Sequence, residues 1–386
     1  MSEQLSTLIS LSEQMDLEPA EETGCSRIER DQHKSPFHGA GAIHNAALPG
    51  GKQIALLKSL LTSACERNCF YCPFRAGRDY RRATLKPEEM ANVFSKLHQA
   101  GIAEGLFLSS GIVGGGVKTQ DALIDTAEIL RNKLNYQGYL HLKLMPGAEY
   151  AQVERAMQLS NRVSINLEAP NTQRLLMLAP RKEFIEELLQ PLKWVEDIRR
   201  NYPRRHGWSN CWPSSATQFV VGAVGESDIE LLKTSEYLFR QLKLKRVYYS
   251  AFRPVSDTPL QNIPAESQLR ATRLYQASFL LRDYGYLLEE ITTEPGGNLP
   301  LTTDPKTAWA NTHLAHQPLE INTADPQELI RIPGIGPASV RAIIKARSVV
   351  TIKSIDQLYR LGINTKRPEA YILLDGRSPV RQLQLF

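Results

Sequence analysis

The sequence predicts an α/β fold built on a parallel sheet, with a small all-α unit at the C-terminal end. Three observations predict it. Six short apolar or β-branched runs are each followed by a helical pattern. The runs read as strands buried on both faces, as in parallel sheets covered by helices. From Gln317 onward the chain turns helical around a tight Ile-Pro-Gly-Ile-Gly-Pro hairpin. The runs fall at 54–61 (IALLKSLL), 105–109 (GLFLS), 139–144 (YLHLKL), 163–167 (VSINL), 217–222 (TQFVVG) and 246–251 (RVYYSA), and the helical patterns begin at Pro87, Thr119, Glu149, Glu183, Glu226 and Glu266. A partial barrel and an open doubly wound sheet share this pattern, so only the motifs separate them.

Composition sets the bounds. The chain has 386 residues, 42% of them hydrophobic and 23% charged, which suits one large globular domain and one small one. No apolar run reaches the length of a membrane span, and the first residues, MSEQLSTLISLSEQ, lack a basic leader. The expectation is a cytoplasmic protein with no membrane partner. A net charge of +5 permits a polyanionic partner and does not require one.

Cys65, Cys69 and Cys72 stand as Cys-x3-Cys-x2-Cys in CERNCFYCPF, directly after the first run. A structural zinc site wants four closed ligands, whereas a 4Fe-4S cluster held by three thiolates leaves one iron open. Zinc and plain buried thiols are the alternatives. Cys25, in a polar stretch, and Cys211 are not placed to complete a four-thiolate set. The spacing, with Tyr71 before the last cysteine, resembles the radical S-adenosylmethionine (SAM) superfamily. That resemblance implies a 4Fe-4S cluster, SAM chelated to the open iron through its amino and carboxylate groups, and a partial (β/α)6 radical SAM barrel.

Barrels of this kind keep their chemistry at the C-terminal ends of strands. After the second run comes SSGIVGGGVKT, where the superfamily has a Gly-Gly-Glu-like segment; the resemblance makes Gly114, Gly115 and Gly116 cofactor contacts, though the acid is missing and a flexible turn reads the same way. The third run ends in KLMPG. The fourth reads SINLEAP, with Ser164, Asn166 and Glu168 alternating on one side, and resembles the ribose-contacting strand of biotin-synthase-like enzymes. These polar groups satisfying barrel loops is the alternative. The fifth, QFVVGAVGESD, resembles the segment that packs along adenine, which implies contacts from Gly222 and Gly225; Glu226 equally suits a helix N-terminus. The sixth ends in YYSAFRPV.

Residues 317–386 hold ten Lys or Arg against six Asp or Glu, a net of +4. Asn322 and Asp325 read as N-caps, and Ile332, Ile335, Val340, Ile343 and Ile344 as an apolar seam. The segment resembles a helix-hairpin-helix module, a sequence-independent DNA binder. Gly334 and Gly336 leave backbone N–H groups for a phosphate, with Arg341 and Lys345 on the following helix, together with Arg347. A helical docking appendix is the alternative. The second hairpin, YRLGINTKRPE, departs from the Gly-hydrophobic-Gly form.

Two further stretches mix cations with aromatics: FRAGRDYRRATLKP, carrying Arg75, Arg78, Arg81 and Arg82, and IRRNYPRRHGWSNCWPSS, carrying Arg199, Arg200, Arg204, Arg205 and His206. Each reads either as a nucleic-acid groove or as solvated surface. Over its length the chain resembles the DNA modification or repair radical SAM proteins, defined by this barrel plus this module. The expected domains are an N-terminal extension (1–50), the barrel (51–290), a connector (291–316) and the helix-hairpin-helix module (317–386). The expected function is SAM cleavage to a 5'-deoxyadenosyl radical acting on DNA, with an electron donor such as flavodoxin or ferredoxin; an RNA-modifying enzyme and a non-catalytic, cluster-bearing DNA sensor are the alternatives. Cys211, before the fifth run, reads as a buried small side chain or, if its loop covers the barrel mouth, as a hydrogen-atom donor.

Overall fold

In the computed structural model, residues 3–13, 15, 42–47 and 53–379 are described; Cys25 lies outside them. Seven strands form one sheet in strictly sequential order: β1 Ile43–Ala47, β2 Gln53–Leu60, β3 Gly105–Ser109, β4 Tyr139–Lys143, β5 Arg162–Ser164, β6 Ser214–Val221 and β7 Arg246–Ala251. β2 to β7 are parallel neighbours, and β1 pairs antiparallel with β2. Each parallel step is bridged by a crossover that carries a helix, the arrangement a parallel pair requires. The six expected runs all supply strands, and the sheet curls into a partial barrel. β1 and the helix Glu3–Ser12, which packs on β2, were not foreseen.

Local chemistry explains the helices. Pro87 opens Pro87–Gln99 at a position where its missing N–H costs nothing, with Glu89 bonding back to the Lys86 N–H at 2.8 Å. Glu149 caps Tyr150–Leu159. The helices expected from Thr119 and Glu183 are interrupted by π-helical turns, Ile129–Lys133 at the end of the first and Phe184–Leu189 at the start of the second.

The residues divide into two compact units, 1–226 with 237–266 and 227–236 with 267–386. In the second, the helix Gln268–Asp283 packs on Pro305–His313, and the unit runs on past the sequence boundary at 317. Arg331 joins its parts: the guanidinium lies 4.6 Å from the Tyr286 ring and 5.0 Å from the Trp309 ring and pairs with Glu290 at 2.5 Å. Helices Pro326–Leu329 and Pro337–Arg347 flank the glycine hairpin, followed by Ile355–Arg360, and a two-residue ladder, β8 Leu319–Glu320 with β9 Ile372–Leu373, ties the ends. Asp325 caps the first helix, accepting from the Glu328 N–H at 2.8 Å. Asn322 is not a cap. Its carboxamide clasps Ile352, accepting from the N–H at 2.8 Å and donating to the carbonyl at 3.0 Å. Ile332, Ile335, Val340 and Ile343 are buried as the seam requires.

Candidate active site

The cysteine loop leaves the C-terminal end of β2 and is held by the protein's own hydrogen bonds. Arg82 donates to the carbonyls of Ser63 and Phe74, both at 2.8 Å, and of Arg75 at 2.9 Å. Arg78 donates to the carbonyls of Pro73 (2.9 Å) and Ser256 (3.0 Å). These two arginines therefore brace the loop rather than offering a groove to nucleic acid, while Arg81 is exposed.

The loop after β3 is stitched to the cysteine loop. The Glu66 N–H donates to the Ile112 carbonyl at 2.8 Å, and the Glu66 carboxylate accepts from the N–H groups of Gly114 (2.9 Å) and Gly115 (3.0 Å). Gly114 and Gly115 have φ of 70° and 93°, conformations that favour glycine. A Cβ on Gly111 would stand 2.0 Å from the Ala64 carbonyl oxygen, so only glycine lets the loops approach this closely.

Cys65, Cys69 and Cys72 line one cleft of about 860 Å³, its mouth included, at the C-terminal ends of the strands. Burial raises the pKa of the Cys69 thiol against the lowering effect of Lys182, and burial and the neighbouring Cys69 raise that of Cys72. The Ile112 N–H points at Cys65 Sγ (3.5 Å) and the Phe74 N–H at Cys72 Sγ (3.4 Å). Such bonds favour the thiolate and tune a cluster. Residues 59–237 match the radical SAM superfamily.

The chain carries a radical SAM domain. Residues 315–366 match the helix-hairpin-helix motif. Among solved structures the chain is similar to methylornithine synthase (PylB), at 17% identity over 59% of this chain and 62% of that one with a TM-score of 0.46. It is also similar to the FeFe-hydrogenase maturase HydG from Carboxydothermus hydrogenoformans, at 15% identity over 59% and 51% with a TM-score of 0.46, and to a radical SAM methyltransferase from Sphaerobacter thermophilus, at 15% over 62% and 70% with a TM-score of 0.44. The matched part spans about half to three-fifths of the PylB and HydG chains. No curated protein matches.

The radical SAM domain implies a 4Fe-4S cluster and SAM, and the cleft fits both. Replacing the thiol protons by iron removes the cost of ionising Cys69 and Cys72 out of water. Glu168 lines the cleft, is 3% exposed and pairs through Oε1 with Lys182 Nζ at 2.9 Å, while its Oε2 has no hydrogen-bond partner among the described residues. Tyr71 lines the same cleft, and burial and the Glu168 carboxylate raise its pKa, so a ligand's hydroxyl or amine would share Glu168 with that phenol. Its backbone φ of 65° is a further constraint, of the kind that concentrates at functional sites.

The radical SAM domain brings some of the expected residues together and not others. Asn166 and Glu168 line the cleft; Ser164 lies deeper, buried, with its hydroxyl 2.8 Å from His141 Nε2. The cleft wall after β3 is Ser109–Ile112, and Gly114, Gly115 and Gly116 sit beyond it, Gly116 against the Pro146 carbonyl, which a Cβ would strike at 1.9 Å. Gly222 and Gly225 also lie outside the lining: the Gly222 N–H donates to the Glu226 carboxylate, and Arg174 donates to the Val224 carbonyl at 2.9 Å beside Gly225. Lys143, Lys182 and Gln218 line the cleft and were missed. The alternation of Tyr139, His141 and Lys143 in the third run carried the signal for Lys143; nothing marks Lys182.

Cys211 corrects the expectation of a buried side chain, and its loop does not cover the barrel mouth. It is exposed, not buried, and it precedes Ser214, the first residue of β6, so it stands at the N-terminal end of the strands, opposite the cleft. A thiol there cannot hand a hydrogen atom to a group in the cleft. Arg204, Arg205 and His206 are exposed at that same end.

In the second unit, Gly334, Arg341 and Lys345 are exposed and Gly336 half-buried. Gly334 has φ of 84° and packs against Arg367 and Pro368. Lys306 donates to the Ile335 carbonyl between the glycines at 2.5 Å, and burial together with Arg367 lowers its pKa to about 7. Arg347 donates to the carbonyls of Ile321 (2.8 Å) and Ala324 (2.6 Å), so it braces the module.

Proposed function

We propose that this protein is a radical SAM enzyme that modifies or repairs DNA. The observation that carries the proposal is the pairing, in one chain, of a three-thiol cleft with a helix-hairpin-helix motif whose Gly334, Arg341 and Lys345 face solvent. Cys65, Cys69 and Cys72 hold the cluster. When bound, cluster and SAM supply one-electron chemistry that yields a 5'-deoxyadenosyl radical able to remove a hydrogen atom. The protein's residues bind and orient. Asn166, Glu168 and Lys182 offer polar contacts to SAM, while the Ser109–Ile112 wall and the neighbouring apolar side chains exclude water. Gly334 and Gly336, at the N-terminus of the helix Pro337–Arg347, present N–H groups to a phosphate, and Arg341 and Lys345 add charge. A base inside a duplex would be unstacked to reach the cleft. The electron comes from a donor such as flavodoxin or ferredoxin.

The test is anaerobic reconstitution followed by mass analysis of DNA and RNA digests. A SAM-dependent product in DNA supports the proposal; a product in RNA alone moves the substrate to RNA. Failure of the reduced protein to cleave SAM would leave a cluster-bearing DNA sensor instead.

A further inference from the structure

A second cavity, of about 660 Å³ with its mouth included, opens on the second unit beside the glycine hairpin. Pro333, the residue before Gly334, forms part of its wall, and its charged lining is Arg273, Asp304 and Arg367. Arg367 belongs to the second hairpin, residues 359–369, which lacks the Gly-hydrophobic-Gly form of the first. Its guanidinium bonds to the described residues through Nη2 alone, to Asp304 Oδ2 and, at 3.4 Å, to Thr307 Oγ1. Nε and Nη1 keep their hydrogens for another acceptor, on a side chain that is 54% exposed. Arg273 is held in place by the Leu301 carbonyl, to which it donates at 2.8 and 3.2 Å, and by Gln276 Oε1 at 2.9 Å. Thr302 and Thr303 add hydroxyls to the lining. Asp304 opposes an anion, but its carboxylate is occupied: it caps the helix Pro305–His313, accepting from the Thr307 N–H at 3.1 Å and the Thr307 hydroxyl at 2.8 Å, and pairs with Arg367. Guanidinium groups and hydroxyls around one concave site suit a phosphate, whose charged oxygens accept.

We propose that this cavity receives a backbone phosphate of the nucleic-acid strand held at the glycine hairpin, with Arg367 as the contact. Gly334 packs against Arg367, so a strand that meets the hairpin runs next to the cavity. The second hairpin then grips with a side chain where the first grips with bare N–H groups. The proposal rests on the nucleic-acid reading above and adds to it a second point of contact.

The experiment uses the full-length, cluster-loaded protein under anaerobic conditions and follows fluorescence anisotropy of a DNA duplex with hydroxyl ends across a salt series, so that any phosphate contact belongs to the backbone. Arg367→Gln is expected to lower the slope of log affinity against log salt by about one, and Arg367→Lys to keep it. Asp304→Asn retains a capping residue and removes the charge that competes with phosphate for Arg367. It is expected to bind about threefold more tightly than the wild type, a gain that misfolding does not produce. The gain should disappear when Asp304→Asn is combined with Arg367→Gln. An unchanged slope in Arg367→Gln overturns the proposal. So does Asp304→Asn binding no more tightly than the wild type, or a gain that survives undiminished in the double variant. Absence of duplex binding by the wild type would instead strike down the nucleic-acid reading itself, a result distinct from these.

Discussion

Both ends of the radical SAM sheet are tied by arginines, and one of them opens into a cleft. At the N-terminal end, Arg131 donates to the carbonyls of Tyr136 (2.7 Å), Gly138 (2.9 Å) and Leu159 (2.9 Å) and to Asn161 Oδ1 (3.1 Å), and its guanidinium lies 3.8 Å from the Trp208 ring. Arg199 likewise donates to the Pro213 carbonyl, at 3.1 and 2.6 Å. Buried polar atoms without hydrogen-bond partners among the described residues occur at both ends, Glu168 Oε2 and Asn68 Oδ1 at the C-terminal one and Trp208 Nε1 and Ser215 Oγ at the other. Cations at the first end finish the fold. Arg78 and Arg82 do the same at the second, bracing the cysteine loop, and the groups that line the cleft lie there alone. Counting Lys and Arg along the chain does not separate the two uses; asking what each group's hydrogens and lone pairs already bind does.

The sharpest way to break this contrast is Cys69→Ala. With one of three anchors gone, iron and sulfide content and deoxyadenosine formation should fall to background; a normal SAM-cleaving cluster in that variant would remove the cleft from the chemistry. Arg131→Met should do the reverse. Leaving several buried carbonyls without a donor costs about 3 kcal/mol, read as a lower denaturation midpoint, with SAM cleavage per cluster retained. Arg341→Glu with Lys345→Glu should weaken duplex binding and reduce the salt slope by about two. Arg204→Ala with Arg205→Ala, at the N-terminal end, should change neither by more than about twofold; equal losses in the two pairs would make the opposite end part of the DNA surface. The smallest effect belongs to Cys211→Ser, expected to leave product formation unchanged.

A pH dependence sharpens the reading of the second unit. The amine of Lys306 has a folded pKa of about 7, below its ordinary value near 10.4. Between those values the unfolded chain binds the extra proton, so this residue's contribution to stability rises as pH increases from 7 toward 10 and is least favourable below 7. Lys306→Met should flatten that slope in urea titrations across the same window.

The parallel runs were legible because buried strands leave continuous apolar segments, and the cysteine spacing was legible because three ligands on one loop must be close in sequence. β1 was not: IHNAA carries no alternation and forms only by pairing with β2. Lys182 reaches the cleft from a turn after the helix Thr172–Leu178, a placement set by tertiary packing alone. The arginines of the cysteine loop looked like a binding groove because the sequence shows their charges and hides the carbonyls that Arg78 and Arg82 bind. Asn322 looked like a cap because capping and loop-bracing draw on the same short amide.

The seam between the cysteine loop and the glycine loop bears on how the protein is assembled. Its ties run from protein to protein: Glu66 to Gly114 and Gly115, Thr62 to Gly111, and the close passage of Gly111 beneath Ala64. None of them passes through iron. A zinc finger gains its fold from its metal, because its ligands are scattered in the unfolded chain until the ion gathers them. Here the chain's own hydrogen bonds tie the ligand loop to its neighbour, so part of the ordering that a metal supplies in a zinc finger is supplied by the polypeptide.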